Sequence, residues 1–152
     1  MSVNQILFPT ALAAVRRDSS LRIYETGVDG GVREAQYEGK WTGGTSNNVI
    51  GTGKIGTPLA ATSIGLSNIR VYYVGNDNKT KEACWDGSGW YTGGFSYEVA
   101  PYSTISAVFL GGKIVLRVYG QLPNNTIQEW CCMFSLPNSS PLPIAATRLD
   151  SL

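Results

Sequence analysis

The 152-residue chain suits one domain with a single core or one short repeat array, and its 12 Lys+Arg against 11 Asp+Glu leave a formal net charge of +1 with no run of like charges. Nucleic acid and membrane surfaces, which need concentrated positive charge, are poor partners for such a chain. It has no histidine, which removes the usual general base, the commonest zinc ligand and every Ser-His or Cys-His nucleophile, so no catalytic site, metal or cofactor is expected.

The opening stretch, MSVNQILFPTALAAVRR, has no basic leader followed by a long apolar run, and no apolar stretch is long enough to span a bilayer. The expectation is a soluble protein without a signal peptide, cytoplasmic or released by a non-classical route.

From Ala11 the chain repeats itself. The first unit, about 11–44, holds the small apolar run ALAAV and then LRIYETGVDGGVREAQYEGKWTGG from Leu21. The second, about 59–94, holds LAATS at Leu59 and IRVYYVGNDNKTKEACWDGSGWYTGG from Ile69. The third, about 105–133, holds ISAVF at Ile105 and LRVYGQLPNNTIQEWCCMF from Leu116, and it is incomplete because no Trp-Asp-Gly or Gly-Trp element follows Glu129. A further run, IAATR at Ile144, reads as the opening strand of a fourth unit, about 144–149.

Arg22, Arg70 and Arg117 stand 48 and 47 positions apart, and each is followed 12 positions later by a glutamate, Glu34, Glu82 or Glu129. Each unit reads as an inner strand, a strand with an Arg-apolar-Tyr triplet, a Gly/Asn/Asp turn, a strand carrying the glutamate and a closing Trp-Thr-Gly-Gly segment. Four short strands in nearly fifty residues fit a blade of a β-propeller, and no 3.6-residue apolar rhythm competes. The expected fold is therefore all-β, with about three blades and almost no helix. Trp85-Asp86 is not a WD40 signature, because the preceding Gly-His is missing.

The combination IRVYY, KEACWDG and GWYTGG, copied along about Ile6 to Trp130, resembles the fungal fucose-specific lectins of the Aleuria aurantia type. That resemblance implies a six-bladed propeller, of which this chain is half. It also implies non-catalytic binding of L-fucose and fucosylated glycans between blades, with an Arg and a Glu from one blade and aromatics from the next. Such residues suit a neutral sugar: a guanidinium presents fixed donors, a carboxylate accepts from hydroxyls, and an indole covers the apolar patch.

Residues three apart on a strand face opposite ways, so if Glu82 faces the following blade, Trp85 faces the preceding one. The first cleft is then Arg22, Glu34, Trp85 and Trp90. The second is Arg70 and Glu82, expected to be weak because Cys132 stands where the aromatic wall belongs. The third, Arg117 and Glu129, lacks a following blade, and Tyr37 and Trp41 of a second copy would complete it in a homodimer that closes a six-bladed ring. A half-ring leaves apolar blade faces and edges uncovered, which favours that association.

An Arg and a Glu on adjoining strands are by themselves more often a solvent-facing pair; their repetition with phased indoles tips the balance toward a sugar site. Two other functions compete. A glycoside-cleaving propeller would need two differently tuned carboxylates, and each cleft has one. A structural or protein-interaction half-propeller with decayed sugar sites would fit the damaged third unit. Of the remaining residues, Tyr24, Tyr72 and Tyr119 lie on the arginine's face, within reach of a ligand but expected rather to pack between blades. Trp130 is expected to fill core or a new interface, and Asp29, Asp77 and Asp86 to shape turns. Cys84, Cys131 and Cys132 are expected to be free thiols.

Overall fold

The structure, a computed structural model, describes residues 10–110, 115–133 and 145–149. Blade 1 consists of β1 (Leu12–Arg17), β2 (Ser20–Thr26), β3 (Gly31–Tyr37) and β4 (Trp41–Gly43) in that spatial order, with β5 (Val49–Thr52) returning to β3 across a bulge at Val32/Arg33. Blade 2 is β6 (Ala60–Ile64), β7 (Asn68–Val74), β8 (Thr80–Trp85) and β9 (Trp90–Thr92). Blade 3 is β10 (Ile105–Leu110), β11 (Val115–Gln121), β12 (Ile127–Met133) and β13 (Ala145–Leu149). All these pairings are antiparallel, and among the described residues there is no helix, hence none long and apolar enough to cross a membrane.

One expectation is corrected here. Ala145–Leu149 does not open a fourth blade; it pairs with β12, Ile127 opposite Leu149, and completes the third sheet as its outer strand. The physical reason is the open edge of β12. The unpaired N–H and C=O groups of that edge offer the segment a full set of backbone partners.

Burial along the second strand of each blade follows from which faces are covered. β7 lies in the middle blade and is buried almost without interruption, whereas β11 alternates between half-buried and buried. Between blades 1 and 2 the core joins Val15, Tyr24 and Val32 to Ile69, Val71 and Ala83. Between blades 2 and 3 it joins Tyr72 and Val74 to Leu116, Val118 and Trp130, with Phe95 and Val99 from the linking segment. Trp130 is core, as expected, edge-on to Phe95 with centroids 5.7 Å apart and stacked on Tyr97 at 5.3 Å. The outer faces of the array are uncovered: Leu12 and Trp41 are exposed on blade 1, and Val108, Leu110 and Ile127 on blade 3.

The turn between the second and third strands is built alike in all three blades. Gly30, Asn78 and Asn125 take the positive φ that the chain reversal requires, 79°, 54° and 64°. The preceding Asp29, Asp77 and Asn124 accept a backbone N–H two residues on, from Gly31, Lys79 and Thr126. Arg33 and Lys81 each close an ion pair across this turn, to Asp29 and Asp77. Hydrogen bonds from Arg33 and Lys81 hold the two carboxyls below the ordinary carboxylate range. A depressed carboxyl stabilises the fold above its unfolded pKa and loses that contribution as pH falls. The melting temperature is therefore expected to be level above pH ~5 and to fall as pH drops through ~4. Thermal unfolding across that range checks it, and Asp29→Asn is expected to flatten part of the decline; an unchanged acid slope in that variant would remove Asp29 from the account.

Candidate functional site

The first cleft is made by strand register. Across β2 and β3, Arg22 lies opposite Gln36 and Tyr24 opposite Glu34, so all four side chains share the face of blade 1 that meets blade 2. Trp85 lies opposite Ile69 and points back from blade 2 toward blade 1. Arg22, Glu34, Gln36, Glu38, Ile69 and Trp85 line one cleft of about 610 Å³.

The central polar side chains of this cleft are held by defined partners. The buried Glu34 accepts the Tyr24 hydroxyl on Oε2 at 3.0 Å and the Gln36 amide on Oε1 at 2.7 Å. Burial, and after it the Glu34 charge, raise the Tyr24 hydroxyl far above its ordinary pKa, so it remains a donor. Arg22 Nη1 donates to the Leu21 carbonyl at 2.9 Å and pairs with Glu38 Oε1 at 2.7 Å. The Ser20 hydroxyl donates to the other Glu38 oxygen, and this bond, followed by that of Arg22, keeps the Glu38 carboxyl below its usual range.

Three of the four residues expected in the first cleft, Arg22, Glu34 and Trp85, thus meet there. Trp90 is not among the residues lining it. Its ring packs against Trp85, with centroids 5.8 Å apart, and edge-on to Tyr24, also at 5.8 Å, where it braces the wall.

In the second blade, Arg70 lies opposite Cys84 and Tyr72 opposite Glu82, the same register. Its arginine side chain is 1% exposed, against 15% for Arg22. Arg70 Nη1 donates to the Ile69 and Trp85 carbonyls and pairs with Asp86 at 2.8 Å, and Asp86 also accepts the Tyr91 hydroxyl. Asp86 is therefore an arginine anchor and not merely a turn residue. Glu82, also buried, accepts the Tyr72 hydroxyl at 2.6 Å. Burial pushes the Cys84 thiol up to about 12, so it is protonated and inert at neutral pH. Cys84 and Cys131 are free thiols. Cys132 falls opposite Leu116, the register position of Trp85; its side chain is outside the described residues.

In the third blade, Tyr119 donates to Glu129 at 2.8 Å, and Arg117 bonds the same carboxylate directly. Tyr37 and Trp41 lie opposite each other across β3 and β4, as Trp85 and Trp90 do across β8 and β9, with centroids 5.3 Å apart. They sit on the face of blade 1 turned away from blade 2, so within one chain they do not reach Arg117 and Glu129.

Sequence reasoning missed two groups. The tyrosine two residues after each arginine is the donor that holds the glutamate; the signal was available in the register that sets it opposite that glutamate. The acid 16 residues after the arginine, Glu38 or Asp86, is the arginine's partner, visible as a spacing once the repeat is aligned.

Comparison with known proteins places this arrangement. The family model described as fungal fucose-specific lectin matches residues 6–139. A fucose-specific lectin of Aspergillus fumigatus is 50% identical over 132 residues, covering 83% of this chain and 42% of that protein. The structure of SapL1 lectin in complex with alpha methyl fucoside superposes with a TM-score of 0.85 at 61% identity, over 95% of this chain and 49% of that one. The six-bladed β-propeller of Aleuria aurantia lectin superposes with a TM-score of 0.73 at 31% identity, over 93% and 51%. This chain thus spans about half the length of the relatives it matches. With three propeller blades, a repeated Arg-Tyr-Glu module and a match along most of its length, the chain belongs to the fungal fucose-specific lectin family.

Proposed function

We propose that the chain binds L-fucose and fucosylated glycans, chiefly in the cleft between blades 1 and 2. The observation that carries this reading is the meeting of Arg22 and Glu34 from one blade with Trp85 from the next around an open space. A neutral sugar with several hydroxyls and one methyl-bearing face matches donors, acceptors and an indole wall placed together. The relatives named for fucose, and the fucoside complex of SapL1 lectin, support the choice of sugar.

The same reading assigns the third cleft to a homodimer. Arg117 and Glu129 of one copy would face Tyr37 and Trp41 of a second, closing six blades in a ring. Exposed apolar side chains on both outer faces and the six-bladed relatives of twice this length support it. The second cleft, where Arg70 is 1% exposed and Cys132 takes the register position of Trp85, is expected to bind weakly.

Isothermal titration with L-fucose, paired with light scattering, tests both parts. One strong site per chain is expected from the first cleft, two if the third also works, in a particle of twice the chain mass. Absence of heat at millimolar fucose overturns sugar binding and favours a structural half-propeller. A clean monomer overturns ring closure alone.

A further inference from the structure

The three blades are near copies of one module, and they differ at one position in a way that tracks the arginine. In blades 1 and 2 an acid stands 16 residues after the arginine, Glu38 and Asp86, and the arginine is paired with it. In blade 3 that position is Met133, and Arg117 is bonded to Glu129 instead. The tyrosine bond to the glutamate is the same in all three.

We propose that Glu38 is a positioning residue of the first cleft, which keeps the Arg22 guanidinium off Glu34 so that both remain available to sugar. The inference rests on the fucose-binding reading above. A guanidinium and a carboxylate left together form a charge-assisted pair, and the uncharged hydroxyls of a sugar compete poorly against it. Glu38 and the Leu21 carbonyl take Arg22 by Nη1, leaving Nη2 and Nε for a ligand. Among the described residues no ion pair joins Arg22 to Glu34, whose oxygens each hold one neutral partner and keep a lone pair for a sugar hydroxyl. Asp86 anchors Arg70 through the same nitrogen and the same preceding carbonyl, so the device is built twice.

Glu38 suits the test because its side chain is 53% exposed, so its removal leaves the core intact. Fucose titrations, melting temperatures and crystal structures of the unaltered chain, Glu38→Met and Glu38→Asp decide the matter. In Glu38→Met the first-cleft Kd is expected to rise by about tenfold, the melting temperature to hold, and the structure to show Arg22 on Glu34. Glu38→Asp, which copies the second blade, is expected to stay within about threefold of the unaltered chain. Equal fucose affinity in Glu38→Met, or an Arg22 that stays off Glu34 without its anchor, overturns the proposal. Should the unaltered chain itself bind no fucose, the sugar reading fails first, and the arginine's position in the Glu38→Met structure still tests the anchor.

Discussion

Arg22→Ala is expected to weaken fucose binding at the first cleft by at least about 100-fold, beyond detection for a monosaccharide site. The loss is large for two reasons. The guanidinium offers more than one bond to the sugar, each worth ~1.5–3 kcal/mol when one partner is charged, and two such bonds correspond to ~3 kcal/mol or more. Removing it also takes a positive charge out of the cleft that the buried Glu34 carboxylate lines. The fold should tolerate the change, since Arg22 lies at the cleft and the core beneath is made by Tyr24, Val32 and Val71. Fucose titration with the melting temperature recorded in parallel is the measurement. Binding at unaltered affinity would mean that the sugar sits elsewhere.

The largest effect on stability is expected from Trp130→Ala, a loss of about 3–5 kcal/mol in denaturant unfolding. Trp130 is 3% exposed and meets Phe95 and Tyr97, so truncation opens a cavity between blades 2 and 3 that the surrounding strands cannot collapse to fill. Its size is matched by a reduction across the strand. Where blade 2 has Tyr73 and Ala83 on one face, blade 3 has Gly120 and Trp130, and a Cβ on Gly120 would lie 3.2 Å from the indole. The large residue and the small one have changed places. A measured loss below about 1 kcal/mol would show that the indole is loosely packed.

Much of this was legible before any coordinates. The three Arg-to-Glu spacings define the module because strand pairing must repeat with the chain, and the two-residue period of a strand puts Trp85 on the face opposite Glu82. Parity alone therefore sent Trp85 to the preceding blade, where the cleft is. It could not separate Trp85 from Trp90, because which of two facing aromatics reaches the opening depends on sheet twist. The exchange of volume at Gly120 and Trp130 was visible only as an oddity at Trp130, since its partner is identified by register. The tail misled for another reason: IAATR has the small apolar residues of an inner strand, but an edge strand with free backbone groups accepts nearly any short extended segment.

The outer faces of blades 1 and 3 are unlike, one presenting Trp41 and Leu12, the other Val108, Ile127 and the Arg117–Glu129 pair. In the proposed ring, copies would therefore join head to tail, blade 3 of one against blade 1 of the other. In such head-to-tail joining, half a circle swept per copy closes at two, another exact fraction of a circle closes a larger ring, and only a sweep that fails to close leads to a growing filament. If that ring is the assembly, small changes in blade tilt would turn closure into filament growth, a hazard that six blades within one chain avoid.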